Sequence, residues 1–247
     1  MNLVPGNRFV KYLLYATGEI VLVVIGILIA LAINNANVRQ NLENKEQVYL
    51  KGLHDEFQTS RVKLKELIRV NRNNVDGARQ LLKFMSDDSS PSSEKKLSEW
   101  LFSTFAYDID YNPNNSLLLE MISSGSLKDL SNDTLRIQLT TWMATLDDIN
   151  KQEDELRIQR EKVVDMFRSE NYSLRTVMGQ AGILENELGM IPTKTSSSNQ
   201  DILQSVAFEN NLLLYLLTSH QTSIAHYEPL LADLEEILEK IEGEIIN

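Results

Sequence analysis

Apolar residues fill positions 12–33 almost without a break, and beyond residue 37 they settle into a seven-residue rhythm that holds for much of the chain. The run Tyr12–Ile33 has 22 residues and one charge, Glu19. As a helix it covers roughly 33 Å, about the thickness of a hydrocarbon core. From Asn37 to Met85 there is no proline, and Gly52 and Gly77 are the only glycines. Leu53, Phe57, Ser60, Leu64, Leu67, Asn71, Asn74, Ala78, Leu81 and Met85 advance by fours and threes. That spacing predicts one long helix, able to run on from the membrane segment, with a single buried seam. Ser60, Asn71 and Asn74 lie in the seam, where buried polar groups usually fix register.

Two further seams follow. Leu135, Leu139, Trp142, Leu146, Ile149, Glu153, Leu156, Arg160, Val163 and Phe167 form the second. For Glu153 and Arg160 the expected reason is a core thinning towards one end, and buried paired charges are the alternative. Leu217, His220, Ile224, Tyr227, Leu231, Leu234, Leu238, Ile241 and Ile245 form the third, in a helix from about 208 to 245. Pro229 predicts a kink or boundary within it. Between the long helices the pattern shortens. A polar turn surrounds Pro91, and an amphipathic helix carries Leu97, Trp100, Leu101, Phe105 and Tyr107. After a loop at 108–116, a short helix at 117–123 has Asn115 or Ser116 as expected cap and Gly125 as its left-handed end. Ser131 is the expected cap of the second long helix. Residues 171–199 are mixed in pattern, with a loop in PTKTSSSNQ.

These elements predict an all-α protein, an N-terminal transmembrane helix followed by an antiparallel long-helix bundle. The first long helix should leave the membrane and the next long one return. The expected organisation is a tail at 1–11, a membrane helix at 12–36 and a helical-bundle domain at 37–247. Phe9, Tyr12 and Tyr15 form an interfacial belt at one end, and Asn34, Asn35 and Asn37 close the other. A cleaved signal peptide is the rival reading, because Ala30-Leu31-Ala32 fits an A-x-A site. The length of the apolar stretch favours a retained anchor. Basic residues flank both sides, Arg8 and Lys11 before and Arg39, Lys45 and Lys51 after, so charge alone does not orient it. A short tail and a large C-terminal part place the tail in the cytoplasm.

A carboxylate at the centre of a membrane helix costs on the order of 3 kcal/mol. Glu19 shares a helix face with Gly26 and Ala30, and Gly26-x-x-x-Ala30 is a small-x-x-x-small pattern that lets another helix approach closely. Gly18, Glu19, Gly26 and Ala30 are therefore the candidate interface of a homo-oligomer, with Glu19 facing protein or a wet axis. The alternative is a lone carboxylate that snorkels to the interface.

The stretch KYLLYATGEIVLVVIGILIALAINN, residues 11–35, resembles the opening of an uncharacterised family of Bacteroidota single-pass membrane proteins with a domain of unknown function. A second resemblance lies in NPNNSLLLEMISSGSLKDLSNDTLRIQL, residues 112–139. Ala32 stands where the family often has Gln, and Ala36 where it usually has Trp. The resemblance implies an inner-membrane location and a helical domain. It implies no activity, and it strengthens the retained-anchor reading.

Composition narrows the function classes. Beyond residue 37 there are 22 basic and 34 acidic residues, a net charge of −12. No nucleic acid is expected as a partner, because phosphate binding needs clustered Lys and Arg. The absence of cysteine removes disulfides, thiolate metal sites and a cysteine nucleophile. His54, His220 and His226 lack metal-ligand spacing, and no phosphate loop or nucleophile elbow occurs. No cofactor, metal or catalytic residue is expected. The resulting expectation is a non-enzymatic membrane subunit, a scaffold or pore-lining oligomer with the bilayer, its own copies and other envelope proteins as partners. A ligand- or stress-sensing domain acting through a membrane partner is the alternative.

Overall fold

The computed structural model describes residues 6–86, 93–169, 171–191 and 197–246. The turn expected at Pro91, residues 192–196 of the PTKTSSSNQ loop and the first five residues of the tail lie outside them. Every regular element among the described residues is helical, as the sequence pattern predicts.

Helix α1 (Gly6–Ser86) has 81 residues. No proline occurs between Pro5 and Pro91, so nothing removes a backbone donor along its length. From Val10 to Lys45 every residue is exposed, and Leu50 is the first to be buried. Beyond it Leu53, Phe57, Ser60, Leu64, Asn71, Asn74, Ala78 and Leu81 are buried, which matches the seam read from the sequence.

The next limb runs back along α1 in pieces. Helix α2 (Glu94–Phe105) starts on Ser93, whose hydroxyl accepts from the Lys96 N–H. It places Trp100 against Phe84, ring centroids 5.2 Å apart. Non-helical backbone through 106–115 leads to helix α3 (Ser116–Ser124), which Gly125 ends with φ of 70°. This left-handed residue is where the sequence places it. The two glycines of α1's packed half mark the close approaches. A Cβ on Gly77 would overlap the Thr104 side chain of α2, and one on Gly52 would overlap Leu117 of α3.

Helix α4 (Asp133–Phe167) begins near α1's exposed stretch, since Lys45 pairs with Asp129 at 2.8 Å and Glu46 accepts from the Ser131 N–H. Its other end lies by α2, where Arg160 donates to the Phe105 carbonyl. The second long helix therefore runs parallel to α1. The broken limb of α2 and α3 makes the return that the sequence pattern assigned to α4. Its buried seam is the expected one, except that Gln159 is buried and Arg160 only half-buried. The N-cap is Asn132, accepting from the Leu135 N–H at 3.0 Å, and not Ser131.

After α5 (Leu174–Gln180) and α6 (Ile183–Asn186), helix α7 (Val206–Thr222) and helix α8 (Glu228–Glu244) run back together as the fourth limb. Phe208 meets Phe167 at one end, and Gln47 accepts from the Ile246 N–H at the other. The limbs thus run up, down, up and down. A π-helical turn, Ser223–Tyr227, joins α7 to α8. It ends two residues before Pro229, which cannot donate to the Ala225 carbonyl. Buried positions include Phe208, Leu212, Tyr215, Ser219 and Thr222 before the turn, Tyr227 at its end, and Leu230, Leu234, Leu238 and Ile241 after it. The step from Thr222 to Tyr227 is five residues, so the seam jumps phase. A single heptad extended back from Tyr227 is therefore wrong upstream, where Leu217, His220 and Ile224 are exposed.

Candidate functional site

The candidate interface lies wholly on the unpacked part of α1. Among the described residues, this is the one helix long and apolar enough to cross a bilayer, and none of its apolar window is buried in the protein. A core helix of a soluble bundle passes the same length test, but it is mostly buried. Gly18, Glu19, Gly26 and Ala30 are all exposed, and nothing lies within 4 Å of a Cβ built at Gly18 or Gly26. At 100° per residue Glu19, Gly26 and Ala30 fall within about 20° of one line. Gly18 is about 100° round from it and borders the stripe. Between the apolar run and the bundle, residues 34–45 form an exposed polar stalk of about 18 Å. Its side-chain ties include Arg39–Glu43 and Gln40–Asn44, both within the helix.

A second polar centre is buried in the bundle. Glu153, 4 % exposed, accepts from the Tyr111 N–H at 3.1 Å and from the Tyr227 hydroxyl at 2.6 Å. Tyr111 in turn donates its hydroxyl to the Ser60 carbonyl of α1. One carboxyl therefore joins α4 to the broken limb and to the π turn, and through Tyr111 to α1. Core thinning is the wrong reason for this seam position. Burial pushes the Glu153 carboxyl up to about 7, with Asp110 and Asp108 adding repulsion, against the hydrogen bonds that favour ionisation. Burial likewise pushes the Tyr111 and Tyr227 hydroxyls up. The seam amides fill the register role: Asn71 donates to the Ser219 carbonyl at 3.0 Å and accepts from its hydroxyl, which pins α1 to α7.

Two carboxylates act at helix ends that sequence reasoning gave to other residues. Glu56 accepts from the Leu117 and Leu118 N–H groups at 2.6 and 3.3 Å, capping α3 from across the bundle. Asn115 occupies the N-cap position and makes no capping bond. Glu46 accepts from the Ser131 N–H, one residue ahead of the α4 N-cap Asn132. The histidines stay apart. His54 lies 3.3 Å from Glu242 on α8, and among the described residues no cluster of three His, Asp or Glu can hold a metal.

The sequence model of a family of unknown function, DUF6090, matches residues 19–167. That stretch takes in residues 19–33 of the apolar run, the stalk and the first three limbs. No curated protein and no solved structure matches the chain.

Proposed function

The chain belongs to DUF6090, a family of unknown function, and on that premise we propose that it is a non-enzymatic single-pass subunit of the bacterial inner membrane. In this reading α1 anchors the protein with its tail in the cytoplasm and holds the four-limbed bundle in the periplasm. The membrane helices of several copies meet along Glu19, Gly26 and Ala30, and the assembly serves as a scaffold or lines a pore. The observation that carries the reading is an uninterrupted helix whose residues 10–44 are exposed, with no cover among the described residues. Apolar side chains there need lipid, and a carboxylate among them is better placed against protein or water than against lipid.

Native mass spectrometry of the protein in detergent tests the assembly. Wild type should be oligomeric. Gly26→Leu should block close approach and shift the distribution to monomer, while Ile25→Leu, on another face, should leave it unchanged. A monomeric wild type, or a Gly26→Leu protein that assembles normally, would refute the interface. Glu19→Gln keeps the shape and removes the charge, so an altered ion selectivity in planar bilayers tests the pore reading separately. The sensing alternative draws its support from a cavity at the opposite end of the bundle.

A further inference from the structure

Between α2, the last turns of α4, α5 and α6 lies a cavity of about 390 Å³. This falls in the usual range for small-molecule sites, roughly 300–1,000 Å³. Leu101, Phe105, Val163, Phe167, Val177 and Met178 build an apolar wall. Among the described residues Arg160 is the one basic residue of the lining, and its side chain is 14 % exposed. Its Nη2 donates to the Phe105 carbonyl at 2.6 Å and its Nη1 to Glu161 Oε1 at 2.5 Å. A guanidinium has five N–H donors, so three remain, and Nε is buried with no acceptor among the described residues. Glu161 is also shared, because Arg168 donates to its other oxygen at 2.7 Å. Arg168 also donates to Asp165, so the two guanidiniums are matched by two carboxylates, and what the cavity offers an anion is the unfilled donors of Arg160. Glu187, the acidic lining residue, is exposed to solvent.

We propose that this cavity binds a medium-chain carboxylate, with its tail among the apolar side chains and its head on Arg160. At about 30 Å³ per heavy atom the volume holds about a dozen such atoms, which matches a ten-carbon acid. A planar carboxylate fits the guanidinium fork. A neutral amphiphile would leave the spare donors unmatched, and a cationic one would be repelled. The source is free amphiphile in solution. The α2 end of the cavity packs at the level of Gly77, which is 44 residues along α1 from Ile33. That separation is roughly 66 Å, too far for a chain still seated in a bilayer.

The test uses full-length protein in phosphatidylcholine nanodiscs and a decanoate carrying a diazirine at its tail. Crosslinks mapped by mass spectrometry should fall on α2, α4, α5 and α6. Excess decanoate should compete them away, and 1-decanol should not. Arg160→Gln should lower labelling at least tenfold. Because that change also removes the bond to Phe105, Leu174→Trp is the second variant. Leu174 lines the cavity and is 41 % exposed, so a larger ring can fill the space with Arg160 untouched. It should lower labelling to the same extent, with circular dichroism unchanged. Labelling confined to residues 10–33 would overturn the proposal. So would equal competition by 1-decanol, which would mark a neutral apolar occupant, and so would undiminished labelling of Leu174→Trp.

Discussion

Replacing Glu153 by Gln should flatten the pH dependence of stability. The folded-state value for this carboxyl is about 7, against an ordinary value of 4.5. A carboxyl raised on folding stabilises the fold fully below its unfolded value, and that stabilisation is lost as pH rises through the folded one. The window therefore runs from about pH 4.5 to about pH 7. A shift of this size corresponds to at most about 3 kcal/mol, of which about 2.5 kcal/mol falls between pH 5 and pH 8. Solvent screening reduces the figure, so it is an upper value. In Glu153→Gln the remaining carbonyl oxygen can still accept from the Tyr227 hydroxyl, and no charge develops. Urea unfolding of the full-length protein in a non-denaturing detergent, followed by far-UV circular dichroism, measures this at both pH values. At about 2–3 kcal/mol per M, the wild-type midpoint should fall by up to about 1 M relative to the variant's on going from pH 5 to pH 8. Parallel midpoints for the two proteins across that range would refute the reasoning, since they would mean that Glu153 titrates alike folded and unfolded.

Gly77→Ala should destabilise the bundle by about 1–3 kcal/mol in thermal denaturation, because a methyl there meets Thr104. Glu56→Ala should cost about 1–2 kcal/mol through loss of the α3 cap, whereas Asn115→Ala should be close to neutral in the same denaturation assay. Asn71→Ala and Ser219→Ala should couple in a double-mutant cycle by about 0.5–3 kcal/mol, and an additive pair would show that the α1–α7 bridge contributes nothing as a unit.

The long seams of α1 and α4 were legible because one apolar face repeated over many turns leaves a periodic trace. Tyr227 and Leu234 were legible for the same reason, but Leu217 and His220 were misread because a π turn inserts a residue that periodicity cannot register. The direction of α4 was hidden for a related cause. The limb that makes the return is spread over α2, a stretch of non-helical chain and α3, none long enough to carry a seam. Glu56 and Glu153 show a different limit. Each finds its partners on other limbs, Glu56 at 61 and 62 residues' separation and Glu153 at 42 and 74, and spacing along one helix does not encode such meetings. The stripe of Glu19, Gly26 and Ala30 was readable in full as a pattern, since it depends on one helix alone. The cavity was not, because its walls come from α5 and α6 as well as from the regular helices.

The continuity of α1 makes the apolar segment and the bundle one shaft. With neither proline nor glycine between residues 27 and 51, the shaft has no joint at which a rolling apolar segment could slip against the core. The azimuth of the bundle about the axis of the apolar segment is then set by residue count alone. One residue inserted in the stalk turns the bundle by about 100° relative to the Glu19 face, and seven turn it by about 700°, which is within about 20° of the starting heading. In an assembly whose membrane helices meet on that face, this count decides which side of each bundle looks towards the axis and which looks out.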